Sequence, residues 1–144
     1  MQIQKYVGRI SGPLLDRIDL HVEVPAVKYT ELASKRSGEP SATIRRRVMI
    51  AREVQMRRFG GRQGLFSNAD MESKEIKEFC EIDGAGANLL KEAMNRLGLS
   101  ARAYDRILKV ARTIADLAQS EGIRPEHLGE AIQYRSLDRS FYAA

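Results

Sequence analysis

Tryptophan is missing from this sequence, and its 144 residues include only four phenylalanines, two histidines and one cysteine. Each shortage excludes something. A single thiol, Cys80, rules out an intrachain disulfide and any metal cluster with cysteine spacing. His21 and His127 fall on different elements, so neither a Ser/His/Asp site nor a His-rich metal centre has support. No apolar run reaches spanning length and no signal-peptide pattern opens the chain, which predicts a cytoplasmic protein with no membrane partner. The chain also lacks a G-x-x-x-x-G-K-[ST] loop and an apolar strand ending in an Asp-Glu pair that would hold Mg²⁺. The stretch "DGAGAN" (Asp83–Asn88) contains glycines but follows no strand, so it is not a phosphate loop. Internal repeats and low-complexity segments are absent too.

Hydrophobic residues make up 43% of the chain, enough for one domain, or for one small domain with an appendage, and its core should be aliphatic. The formal net charge is +5 and the pI about 9.6. Most of the 24 basic residues are arginines, whose planar guanidinium suits bidentate contacts to phosphate or carboxylate. That balance permits an anionic partner without requiring one.

Residues 18–24, "IDLHVEV", alternate apolar with polar side chains and predict a strand that Pro25 ends. No later stretch offers it a convincing partner. It either packs irregularly or belongs to a sheet whose other strands lie outside this chain. Residues 28–40 suggest one weak helical turn and a linker. From residue 41 onward the pattern is helical, with short connections, and predicts a small bundle. The expected helices cover 41–58, 72–80, 85–97, 101–120 and 125–137. Ser41 is available to cap the first, whose stripe is Ile44, Val48, Ala51 and Val54. "GGRQG" (Gly60–Gly64) breaks it and predicts a mobile loop. Ile76, Phe79 and Cys80 should face inward from the second helix, and Leu89, Leu90, Ala93 and Leu97 from the third, which Gly98 closes. The fourth carries Ala103, Ile107, Val110, Ile114 and Leu117, with Gly122 as its end. Pro125 at the first helical position opens the fifth, with Leu128, Ala131 and Ile132 apolar.

Three sets of arginines stand out. Ser100 is a good N-cap, which makes Arg102 the second residue of its helix, where the dipole is positive and a cation is disfavoured by ~0.3–1 kcal/mol. Free helical N–H groups beside a guanidinium form an anion site suited to phosphate, but an exposed structural arginine explains the position as well. Arg106 and Lys109 continue the line at i+4 and i+7 as a solvated basic face, and Asp105 and Asp116 suit weak local pairs. In "SGPLLDRIDLHVEVP" (Ser11–Pro25), Ser11 and Pro13 can open a helical turn, leaving Arg17 at the junction into the strand. There it can reach a neighbouring molecule, or pair locally with Asp16 and Asp19 to shield an edge. The third set comprises Arg45, Arg46, Arg47, Arg52, Arg57, Arg58 and Arg62. It spreads around a helix and suits a soluble basic surface or DNA-backbone contact, with Arg57, Arg58 and Arg62 beside the glycine loop as the nucleic-acid candidates.

Together, "SGPLLDRIDLHVEVP", "LGLSARAYDRILKVARTIADL" and "HLGEAIQYRSLDR" resemble the C-terminal part of the magnesium-chelatase-like AAA+ ATPases, within them the bacterial ComM/YifB competence group. "RRFGGRQGLFSNAD" fits too, with Asn68-Ala69 as the family's Asn-Ala pair. The resemblance implies that residues 1–27 are the end of an αβα core, that 28–40 are a linker, and that 41–144 form the helical lid. It makes the fold mainly α, with an orphan strand left from the core. It assigns Arg17 as an arginine finger reaching a neighbour's γ-phosphate, and Arg102 as the second sensor. It implies ATP and Mg²⁺ as cofactors of the full-length protein, a homo-oligomeric ring, possession of DNA as a partner, and a motor role in recombination or natural transformation. The family's phosphate loop and acidic pair precede the part represented here, so the chain is expected to be a fragment that does not hydrolyse ATP alone. The rival expectation is a non-enzymatic helical module that holds DNA or a protein through helix 41–58. As second sensor, Arg102 should be solvent-exposed and without a strong carboxylate partner.

Overall fold

The computed structural model describes residues 38–135 continuously and, ahead of them, residues 9, 11–15, 17–27 and 29. Five helices carry the described bundle: α1 (Ser41–Phe59), α2 (Ser73–Phe79), α3 (Gly84–Leu97), α4 (Ala101–Leu117) and α5 (Pro125–Gln133). A single helical turn, Gly12–Leu15, precedes them, and a 3₁₀ turn, Asn68–Asp70, lies between α1 and α2. No described helix is long and apolar enough to cross a membrane.

Local chemistry sets most of these boundaries. Pro40 occupies the cap position of α1 and Ser41 is its first residue, so the expected serine cap is not made. Asp83 caps α3 by accepting from the Gly86 amide at 2.7 Å. Gly98 closes that helix in the left-handed conformation, φ 61°, and Leu99 donates back to the Met94 carbonyl at 3.1 Å. Helix α4 stops at Leu117, short of the expected Gly122. Gln119 takes the left-handed position with φ 55°, and the Ser120 and Gln119 amides bond back to the carbonyls of Ala115 and Asp116. These are the two bonds of a Schellman close, made here without glycine. Pro125 opens α5, and His127 accepts the Arg124 amide on Nδ1 at 3.0 Å, which gives that histidine a capping role.

Helix α4 is the centre of the bundle and packs against α1, α2 and α5, while α3 packs on α5. The core gathers Phe59, Met71, Ile76, Cys80, Leu90, Ile107, Leu108, Ala111, Ala115, Ile123, Leu128 and Ala131. Each large aliphatic member contributes roughly 1.5–3 kcal/mol by leaving water. Gly86 lets α3 approach α5, since a Cβ there would meet Leu128 Cδ1 at 2.8 Å. The buried side of α4 is rotated from the expected stripe. Leu108, Ala111, Arg112, Ala115 and Asp116 are buried, whereas Val110 and Ile114 are half-buried and Leu117 is exposed. On α1 the buried residues are Ala51, Gln55 and Phe59, and Ile44 and Val48 are exposed.

The expected strand at 18–24 does not form. Described residues 18–27 have no ladder partner, and His21 is the one residue among them that is buried. His21 is buried, at 6% exposure, while Val22 and Val24 are exposed at 66% and 81%. The physical reason is the lack of a neighbouring strand to complete a ladder, combined with anchors on individual main-chain groups. The His21 amide donates to the Tyr134 carbonyl at 2.8 Å, and the Arg135 guanidinium donates to the Ile18 carbonyl.

A charged network lies inside the bundle. Arg58 grips Asp116 bidentately, at 2.8 and 2.5 Å, and its Nη1 also reaches Asn68 Oδ1 at 2.8 Å. The Asn68 amide donates to Asp116 at 2.8 Å and to Thr113 at 3.1 Å. Arg112 approaches Asp116 from one turn earlier on α4, at 3.1 Å, and donates to the carbonyls of Glu121 and Ser120 at 2.9 and 2.8 Å. The Asp116 side chain is fully shielded. The weak local pairing expected for Asp116 is thus replaced by a buried cluster joining α1, the 3₁₀ turn, α4 and the loop after it.

Removing Asp116 strands two cations. Asp116→Ala should therefore cost about 3–5 kcal/mol, measured as a fall in the urea midpoint. Burial pushes the Asp116 carboxyl up, but hydrogen bonds from Arg58 and Asn68 and the charges of Arg112 and Arg58 outweigh it, so the group sits below its usual range. A carboxyl lowered by folding contributes stability that is full above its unfolded pKa of ~4 and declines as pH falls toward the folded value. Unfolding free energy should therefore drop below about pH 4, and Asp116→Asn should flatten that dependence. Burial also pushes the Cys80 thiol up to about 11. Cys80 should resist a thiol reagent at neutral pH and react at the rate of unfolding.

Candidate functional site

The candidate site is built at the N-terminal end of α4. Ser100 caps the helix by accepting from the Ala103 amide at 3.1 Å, which turns Arg102 outward in the first turn. Arg102 is exposed, which meets the expectation of exposure, and it is not without an interaction partner. Its two companions on the same line are used differently from the solvated face expected of them. Arg106 pairs with Asp19, and Lys109 donates to the Ala69 carbonyl at 2.9 Å. These contacts hold the N-terminal segment and the 3₁₀ turn against α4. The residues enclose a polar cleft of about 360 Å³ lined by Asp19, Ala69, Arg102, Asp105, Arg106 and Lys109.

Arg17 follows the helical turn that Ser11 and Pro13 were expected to open. The Leu14 amide donates to the Ser11 carbonyl and the Arg17 amide to the Leu14 carbonyl, each at 3.0 Å. Arg17 is exposed. Asp19, two residues on, turns to Arg106 instead of forming the local pair considered for it; Asp16 lies outside the described residues. Three contacts from the bundle therefore fix the segment just after Arg17: Arg135 on Ile18, Arg106 on Asp19, and Tyr134 on His21. The structure brings the Arg17 segment and the start of α4 to one side of the bundle.

Arg57, Arg58 and Arg62 are not gathered into one surface. Arg57 is exposed, but the Arg58 guanidinium belongs to the Asp116 network. Arg62 is bound bidentately to Glu78, at 2.8 and 2.5 Å, and lies 4.8 Å above the Phe79 ring. The glycine loop expected to be mobile is thereby pinned to α2, with Gly61 and Gly64 supplying positive φ of 82° and 80°. Arg62 holds the exposed Glu78 carboxyl below its usual range through that hydrogen bond. Sequence reasoning missed Arg106 and Arg135 as residues that fasten the Arg17 segment, and Lys109 as the one that holds the 3₁₀ turn. The signal for Arg135 lay in its position one turn after Ala131 on the apolar side of α5, where a solvated cation is not expected. Among the described residues, no group of three or more His, Cys, Asp or Glu side chains is placed to hold a metal ion.

Two family models match the chain. Residues 38–135 match "Magnesium chelatase, subunit ChlI C-terminal" and residues 1–32 match "Magnesium chelatase, subunit ChlI". Among curated relatives, the chain is 47% identical over 139 residues to competence protein ComM of Haemophilus influenzae. It is 46% identical over 140 residues to YifB of Escherichia coli and 44% identical over 139 residues to YifB of Salmonella typhimurium. Each alignment covers 96% of this chain and 26% of the relative, so the chain spans about a quarter of those proteins. The boundary between the two matched models falls between the segment carrying Arg17 and the bundle carrying Arg102. The chain belongs to the magnesium chelatase ChlI family, and residues 38–135 represent its C-terminal region.

Proposed function

We propose that this chain is the lid portion of a ring-forming, cytoplasmic AAA+ ATPase motor of the ComM/YifB group, acting on DNA in recombination or natural transformation. In that reading Arg17 is the arginine finger and Arg102 the second sensor, both directed at the γ-phosphate of ATP. The observation that carries it is the fastening of the Arg17 segment onto the helix that begins with Arg102, through Asp19 and Arg106. Phosphoryl transfer is mainly positioning and charge stabilisation, and two exposed guanidiniums on one side of a rigid bundle supply both. ATP and Mg²⁺ fit this reading as cofactors of the whole protein. The described residues fit the terminal phosphate of a nucleotide held elsewhere and include no carboxylate cluster for the metal. DNA and neighbouring subunits are the proposed partners. Arg57 is the nucleic-acid candidate whose side chain remains available, since Arg58 and Arg62 are engaged within the bundle.

The test uses the full-length protein. Arg17→Ala should lower kcat by on the order of 10³-fold or more while leaving ATP binding nearly unchanged. Arg102→Ala should lower kcat by on the order of 10²–10³-fold. Mixing Arg17→Ala subunits with subunits disabled in the phosphate loop should restore part of the turnover, because a finger acts in trans. Normal turnover in both arginine variants sinks the assignment, and mixtures that stay inactive sink the ring.

A further inference from the structure

Helix α1 carries six arginines and one glutamate, a surplus equal to the net charge of +5 on the whole chain. The remainder of the chain is balanced, so the net charge resides on one element. The N-terminal half of that element lies outside the packing. Residues 41–50 include none that is buried, and the buried residues of α1 are Ala51, Gln55 and Phe59. About 15 Å of helix thus extends beyond its last buried contact. The apolar stripe continues onto it through Ile44 and Val48, which are exposed at 42% and 44%. Beside them, Arg45, Met49, Arg52 and Met56 follow steps of four, three and four and share one face. Met49 and Met56 are exposed at 49% and 65%. Arg45, Arg46 and Arg57 have no carboxylate partner among the described residues, whereas Arg47 is held by Glu39.

Arginine and methionine are the residues enriched at protein interfaces, and two exposed methionines serve a phosphate backbone poorly. The same chain holds the complementary surface. A cleft of about 470 Å³ between α2, α4 and the loop after α4 is rimmed by Glu81, Asp83 and Glu121 together with Glu78, which Arg62 already holds, and has Phe79 and Ile82 in its wall. Asp116 offsets one of the two guanidinium charges, Arg58 and Arg112, that also line it, and Glu81, Asp83 and Glu121 leave the cleft an acidic surplus.

We propose that the exposed Arg/Met face of α1 docks into the acidic cleft of a second copy of this chain. The two surfaces are different, so the contact is head-to-tail, the kind that closes rings. The proposal rests on the ring reading above and assigns one of its contacts to the lid. The area available on half a helix places it in the small-interface class, weak and sensitive to salt.

Sedimentation of the chain across a concentration series tests this. Self-association is expected at low salt and should be lost at about 0.5 M salt. Arg45→Glu/Arg52→Glu and Glu81→Lys/Glu121→Lys should each weaken it tenfold or more while keeping the helical circular dichroism. Mixing the two reversed chains should restore association. Met49→Ser/Met56→Ser, which preserves charge, should weaken it as well. A wild-type chain that stays monomeric throughout overturns the proposal, as does association indifferent to the α1 variants or a mixture that stays monomeric. Binding of a duplex oligonucleotide that depends on the exposed face of α1 and displaces self-association also overturns it, in favour of nucleic acid as the occupant. The subunit-mixing assay with Arg17→Ala reports on the ring independently of this contact.

Discussion

Asp116 lets two arginines enter the interior of a small bundle. A guanidinium placed among Phe59, Cys80 and Ala115 without it would face the full cost of desolvation. With it, Arg58 brings α1 against α4, and Arg112 gathers the carbonyls left where α4 ends. Asn68 completes the set and fixes the 3₁₀ turn to the same carboxylate. Apolar contacts alone would allow α1 to slide along α4, because aliphatic stripes discriminate poorly between neighbouring registers. A bidentate ion pair with several further bonds does not tolerate such a shift.

That register determines what the candidate site can be. Helix α4 is clamped along its length by the core and at its end by the Schellman close, so the direction in which Arg102 leaves the first turn is set by the bundle. Its neighbours on the same line, Arg106 and Lys109, are occupied with holding chain segments from elsewhere. The Arg17 segment and α4 therefore move as one body. For an ATPase of the proposed kind, this ties the finger to the lid, so that a rotation of the lid alters both arginines together.

Much of this was legible in the sequence. The five helices, the closing role of Gly98, Pro125 at the start of α5 and the helical turn before Arg17 all follow from local chemistry. The misplaced helix faces have a common cause, which is that polar residues are expected on the surface. On α4 the positions 108, 111, 112, 115 and 116 form a complete helical face, but two of them are Arg112 and Asp116. Counting only apolar residues rotates the stripe toward Ile114 and Leu117. An Arg and an Asp one turn apart within such a face are the mark of an interior pair, and nothing local names the third partner, Arg58, 58 residues away. The strand at 18–24 failed for another reason. Its alternation is present in the sequence, but a strand requires a ladder, and in its absence the segment is held at the Ile18 carbonyl, the Asp19 carboxylate and the His21 amide.

The manner of that binding matters. Arg135 reaches the carbonyl of Ile18 and Tyr134 offers its own carbonyl to the amide of His21, so two of the three fastenings grip main chain. Main-chain groups are the same whatever side chain is present. The latch thus follows the path of the peptide and is nearly blind to its letters, leaving Ile18, Leu20, Val22 and Val24 available to evolve against whatever surface faces them. Within the segment, a proline at position 21, which has no amide hydrogen, would break one main-chain grip, and loss of the Asp19 carboxylate would break the one side-chain grip.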